Sequence, residues 1–197
     1  MVRRLFQEIA LIQRAVAMAL VAFTLIFSSA VAQANEENTF SVQEISDAAE
    51  GFFGSTTQGL AEIIEKVFSD LGRPTAYITG EEVSGAFVVG LRYGKGDLNI
   101  KAGGTSKIFW QGPSIGFDIG GNASKSFVLI YGATTKEQIY ARFPGVEGTF
   151  YFVAGLGVNY QGDGDVTLAP IRTGVGLRQG ANIGYLHYSG EHSWLPF

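Results

Sequence analysis

The chain contains no cysteine. That excludes disulfides, a thiol nucleophile, a thiolate metal site and an acylated lipoprotein terminus, and it leaves the core alone to hold the fold together. Histidine is nearly absent too. His187 and His192 are the only two, with Glu191 between them. Their spacing beside a glycine matches no established zinc geometry, so no metal ligands are assigned. A Ser–His–acid triad would require Ser189 or another serine to meet one of these histidines, and no GxSxG elbow is expected around any serine. The P-loop pattern GxxxxGK[ST] is missing, and no GxGxxG leads into a helical pattern, so no nucleotide cradle and no cofactor are expected. Basic residues form no cluster of the kind that marks a nucleic-acid footprint.

What is present begins with an export signal. Arg3, Arg4 and Arg14 precede an uncharged apolar block of 13 residues, Ala15–Phe27, and Ala32-Gln33-Ala34 is a small-x-small site. A bilayer span wants about 20 residues. The pattern therefore predicts a secretory signal peptide over 1–34, cleaved after Ala34, and a periplasmic chain with no stable membrane span. Without those residues the chain carries 11 basic and 17 acidic residues, a net charge of −6.

Residues 35–72 read as helical and acidic. Ser41-Val-Gln-Glu44 has the form of a capping box, and Ser55-Thr-Thr-Gln58 resembles a second. Leu60, Ile63, Ile64, Val67, Phe68 and Leu71 recur on one helical face. Gly72 is placed to end that helix in a left-handed conformation, with Pro74 barring its return. The segment is expected to pack on the rest of the domain, residues 73–197, over an open end or a glycine-lined face. A membrane-surface helix would carry Lys and Arg on its polar face, and this one is mostly acidic.

From Thr75 the periodicity changes to two. Strands are predicted over 75–79, 85–93, 97–101, 114–119, 126–131, 149–160, 166–177 and 181–188. Gly94-Lys95-Gly96 and Gly162-Asp163-Gly164 are read as hairpin turns, and Thr134–Phe143 as a helical insert stopped by Pro144-Gly145. Many glycines lie inside these strands, as in "SIGFDIGG" after Pro113, where Gly116 and Gly120 alternate with Ile115, Phe117 and Ile119. Strand glycines mark bends, tight closure or close approach of another element. The fold class is mainly β: a small antiparallel β-barrel of about eight strands, with N-terminal amphipathic helices and one short helical insert. Phe87, Val89, Leu91, Phe117, Phe150, Phe152, Leu156 and Val158 are expected to fill its interior.

The blocks "GAFVVGLRYGKGDL", "WQGPSIGFDIGGNASKSFVLIY" and "VAGLGVNYQGDGDVTLAPIRTGVGLRQGANIGYLHYS" resemble, in the same order, the EipA family of alphaproteobacterial envelope proteins, from about Phe40 to the C-terminus. The resemblance implies a soluble periplasmic barrel with a role in envelope integrity, and no catalytic residues. More distantly, the order of hairpin, aromatic-glycine strand and apolar strand is similar to the SYLF lipid-binding domain.

With the interior filled, binding is expected on loops and edges. The candidates are Trp110, Gly112 and Pro113 before one strand, and Asp163 and Asp165 in one hairpin, with Arg172 and Arg178 able to meet an anionic group if exposed. Asp163 and Asp165 supply too few oxygens for calcium. Glu81-Glu82 reads as a solvated loop. The expected function is non-catalytic support of the envelope by binding a partner protein, lipid or polysaccharide. The alternatives are an outer-membrane eight-stranded barrel with a polar lumen and a SYLF-like lipid-binding module, with an enzyme further off.

Overall fold

A computed structural model describes residues 37–54, 58–118, 123–145, 151–162, 164–173 and 185–193, with backbone alone for 84–90, 114–118 and 123. The leader, the second capping-box candidate at 55–57, Phe150 and Arg178 lie outside the described residues.

Local chemistry sets the helices. Ser41 caps α1 (Val42–Phe53): its hydroxyl accepts from the Glu44 amide at 3.2 Å, and the Glu44 carboxylate accepts from the Ser41 amide at 2.8 Å. Glu44 also pairs with Lys101. The Lys101 hydrogen bond and the Ser41 amide hold its pKa at about 2. Gly54 ends α1 at φ 90° and Gly72 ends α2 (Gln58–Leu71) at φ 78°, the left-handed region that glycine tolerates.

Nine strands follow: β1 Ala76–Ile100, β2 Gly104–Asp118, β3 Ala123–Tyr131, β4 Arg142–Pro144, β5 Tyr151–Val153, β6 Leu156–Val158, β7 Gln161–Gly162, β8 Thr167–Thr173 and β9 Tyr185–Ser189. All pair antiparallel in the order β4-β9-β2-β1-β3-β8-β6-β5, with β7 also on β8. Gly145, just after β4, bridges to Gln161 of β7. That contact joins the β4 edge to the far side of the sheet and curls it nearly closed. The registers of β6 and β7 skip Ala169 and Pro170, so Pro170 sits where a strand can do without a ladder donor.

The curl creates two cores. Inside, Ile78, Leu98, Ile108, Trp110, Val128, Ile130, Phe143, Leu168, Leu186 and Tyr188 meet in one cluster. Outside, Ile45, Leu60, Ile63, Ile64 and Val67 of the helices cover Phe127, Leu129, Leu156, Val158, Ala169 and Ile171. β3 serves both, which explains its unbroken apolar run "FVLIY". The helices are tied down at their polar margins as well: the Tyr151 and Tyr160 hydroxyls donate to Glu62 at 2.6 Å and to Asp70 at 2.5 Å. Ile64→Asp would bury an unpaired charge between helix and sheet. It should cost about 3 kcal/mol in urea unfolding, and an unchanged midpoint would show that α2 is not docked.

Several expectations need correction. Gly94-Lys95-Gly96 is not a turn: β1 continues through it without interruption, and the chain reverses at Lys101–Gly103 with Gly104 at φ 77°. The expected strand 149–160 is a hairpin, β5 and β6, turning at Ala154 (φ 48°) and Gly155 (φ 85°). The helical insert shrinks to α3 (Lys136–Ile139), because Phe143 is drawn into the inner core and carries Arg142–Pro144 into the sheet beside β9. The expected interior is also different. Leu91 and Phe152 are each 40% exposed, and Leu156 and Val158 face the helices; the side chains of Phe87, Val89 and Phe117 lie outside the described set. The face under the helices is apolar, not glycine-lined.

A buried charged cluster as candidate functional site

Among the described side chains, alternation places Ala76, Ile78, Leu98 and Ile100 of β1, Ile108 and Trp110 of β2, and Val128 and Ile130 of β3 inside. Two rows of cross-strand neighbours result. One runs Gly80–Ser126–Arg172–Gly157 across β1, β3, β8 and β6. The other runs Gly94–Trp110–Tyr188 across β1, β2 and β9. They meet because β1 bends back on itself. Gly80 and Gly96 would stand roughly 50 Å apart along a straight strand, yet a Cβ on Gly80 would lie 2.9 Å from the Gly96 Cα and 2.6 Å from Cη2 of Trp110. A Cβ on Gly94 would overlap the indole ring. The strand glycines are small because a tryptophan and a second stretch of backbone lie on them.

Glu82 sits at the centre of this junction. The Trp110 Nε1–H donates to its Oε2 at 2.8 Å. Its Oε1 is 3.2 Å from Arg92 Nε and 3.4 Å from Arg172 Nε. Arg172 Nη1 donates to Asn159 Oδ1 at 3.0 Å. The side chains of Glu82, Arg172 and Arg92 are 4%, 9% and 14% exposed, so the cluster is buried and nearest to solvent at Arg92. Burial pushes the Glu82 carboxyl up, but Arg172, Arg92 and the indole N–H outweigh it and hold its pKa below the usual carboxylate range. Burial pushes the Arg172 pKa down, and a guanidinium stays charged regardless. Among the described side chains, the Glu82 carboxylate thus faces two guanidiniums. The buried hydroxyls of Ser126 and Tyr188 and the Nη2 of Arg172 make no hydrogen bond within the described residues. Burial, with Arg172 and Glu82 acting in opposite senses, raises the Tyr188 phenol above its ordinary value.

The surface candidates are dispersed. Trp110 and Arg172 are buried in the cluster rather than set on an edge. Gly112 is buried against the Tyr185 backbone, and Pro113 is half-buried beside it in β2. Asp165 is exposed in the β7–β8 hairpin, whereas Asp163 and Arg178 lie outside the described residues. Glu82 was read as solvated, and it is the residue the others converge on. The signal available for it was its alternation with Ala76, Ile78 and Gly80 on the inner face. One motif escaped the sequence reading: Gly112-Pro113-Ser114-Ile115-Gly116 has the G-x-S-x-G spacing. Here it lies within β2, paired to β1 through Gly90–Ser114, with none of the sharp strand-to-helix turn a nucleophile elbow needs. His187 lies in β9, its pKa lowered by burial and then by Arg142. His192 packs edge-on to Phe109 at 5.7 Å. No three potential metal ligands gather among the described residues.

A nearly closed antiparallel sheet with helices on one outer face and a charged knot inside defines a small barrel-like domain. The chain belongs to the EipA family, envelope integrity protein A, whose family model matches residues 38–197. It is similar to a crystal structure of a β-barrel-like, uncharacterised protein from Brucella abortus, with 46% identity, 81% of this chain and 99% of that chain covered, and a TM-score of 0.73. No curated protein matches the chain.

Proposed function

We propose that the protein is a non-catalytic periplasmic module that supports envelope integrity by binding an envelope component or a partner protein. Membership of the envelope integrity protein A family is the observation that carries this reading. The interior supports the non-catalytic part: it is packed with aliphatic and aromatic side chains, and the Glu82 carboxylate is held by two arginines and an indole. The leader pattern of residues 1–34 supports export, with cleavage after Ala34. No helix among the described residues is long and apolar enough to cross a membrane. An outer-membrane barrel keeps a polar lumen and turns its apolar side chains to lipid. Here, apart from the cluster around Glu82, the described inner face is largely apolar, and helices cover much of the outer apolar face, which favours the periplasmic reading.

Deleting the gene should sensitise cells to detergent, and the wild-type gene should restore resistance. N-terminal sequencing of the protein recovered from a periplasmic extract should begin at Asn35. Failure of complementation would remove the envelope role, and a protein that begins at Met1 would remove cleavage. A photo-crosslinker at Asp165, on the exposed hairpin, tests the surface reading: recovery of an envelope species there supports that face as the contact.

A further inference from the structure

The helices cover the outer face of β3, β6 and β8. The outer face of β4, β9, β2 and the second half of β1 is built differently. Register places Arg142, His187, Gln111 and Tyr93 in one row across these four strands, with Phe109 and Lys95 paired in the next. Their chain neighbours Phe143, Tyr188 and Trp110 point into the inner core, so this row points outward. Tyr93, Phe109 and Tyr185 belong to neither core and are half-buried on the surface. The Arg142 guanidinium lies over the Tyr185 ring, 5.3 Å from its centroid, which holds it flat. Arg142 and Lys95 are exposed, and neither forms an ion pair among the described residues. The acid on the same face, Asp97, is taken by Lys107 at 2.6 Å, and Glu191 is exposed beyond the end of β9. The helical segment 35–72, by contrast, carries eight acids and one lysine.

We propose that this face binds an acidic polysaccharide, laid across the strands with its acid groups at Arg142 and Lys95 and its sugar rings against Tyr93, Phe109 and Tyr185. Arg142 and Lys95 stand on the first and fourth strands of the row, three strand spacings or roughly 14 Å apart. One small anion reaches a single cation at that separation, whereas an extended polyanion reaches both. Charge complementarity selects the face, because the helical segment repels such a chain and this surface attracts it. The rings between the two cations offer flat apolar surface with polar edges, which suits the flat faces of sugars. Among the exposed large apolar side chains, Leu91 alone borders the row, at one end, so the face lacks the apolar stripe that sinks into a bilayer. The inference rests on the reading of the protein as an envelope-binding module and gives that module a ligand class.

The test is calorimetric titration of the purified protein with tetragalacturonate, against maltotetraose, tetraglutamate and vesicles of phosphatidylcholine with phosphatidylglycerol. Saturable binding of tetragalacturonate is expected, weakening as sodium chloride is added. Maltotetraose, which lacks the acid groups, should bind about tenfold more weakly. Arg142→Gln and Lys95→Gln should each weaken tetragalacturonate binding about threefold, the worth of an exposed ion pair. Together they should weaken it about tenfold, because the two sites are far enough apart to act independently. Both residues are exposed, so the variants should keep the wild-type Tm. Tyr185→Leu removes a ring and should also cost about threefold, while Lys66→Gln on α2 should change nothing. No binding of tetragalacturonate, or unchanged affinity in the double variant, would overturn the proposal. So would equal or tighter binding of tetraglutamate, which would point to an acidic protein segment, or binding to the vesicles alone, which would point to a lipid surface. These results are read on isolated protein. A failed titration therefore leaves the envelope role standing, and failed complementation in cells leaves the binding result standing.

Discussion

Gly94→Val is expected to be the most damaging single substitution in the inner core, costing about 4 kcal/mol or more and leaving little folded protein near 37 °C. A side chain at this position overlaps the Trp110 indole, which is 2% exposed. The indole cannot retreat, because its N–H is held by Glu82, its edge rests on Gly80, and Tyr188 is 5.9 Å away on the other side. Denaturant unfolding of the purified variant measures the loss. Gly51→Ala is the matching control. Gly51 is exposed within α1, and nothing lies within 4 Å of a Cβ there. Alanine should stabilise that helix by about 0.5–1 kcal/mol. Equal effects at the two sites would mean that glycine is required at Gly94 for some reason other than space.

The second large effect is expected at Glu82. Glu82→Leu leaves Arg92 and Arg172 buried together without their counter-ion and should cost on the order of 3–5 kcal/mol. Arg172→Met leaves a neutral Arg92–Glu82 pair and should cost less. That ordering follows from Glu82 being the carboxylate that Arg92 and Arg172 share, and a reversed ordering in urea unfolding would refute it. The pH dependence has a definite sign. The folded-state pKa of Glu82 lies below its unfolded value of about 4.5. Its contribution is therefore complete above pH 4.5 and is lost as the pH falls through the folded pKa. Glu44 works in the same direction, with its folded pKa at about 2, but its exposure keeps that contribution small. Tm measured against pH should fall more steeply on the acid side for the wild type than for Glu82→Gln.

These two positions also show where the sequence was legible. The helices could be read because capping and periodicity act within a few residues: Ser41 with Glu44, and the stripe from Leu60 to Leu71. The barrel class was legible from alternation, and the two-faced strand β3 from its unbroken run. The errors have a common cause. Gly94 and Gly96 look like a turn because glycine usually marks one, and nothing local reveals that Trp110 and Gly80 will lie on them. Glu81-Glu82 looks solvated because its partners Arg92, Trp110 and Arg172 come from three other places in the chain. The Ala154–Gly155 reversal was hidden because alanine is an uncommon residue at positive φ. Trp110 and Arg172 were expected at loops and edges, but both are buried, and only the bend of β1, which no local pattern reveals, brings them together with Glu82.

The place of β9 in the sheet has a kinetic consequence. It is the last described strand in chain order, yet it lies between β2 and β4, and it supplies Leu186 and Tyr188 to the inner core. Until residues 185–189 arrive, β2 and β4 carry open hydrogen-bonding edges, the kind that recruit a neighbouring chain. The sheet cannot be completed until residues 185–189 pair with 109–111 and 142–144, and such long-range contacts slow folding. Nascent or truncated chains that end before Tyr185 should therefore aggregate rather than form a smaller stable barrel, and a factor that shields β2 during that interval would raise the yield without altering the final stability.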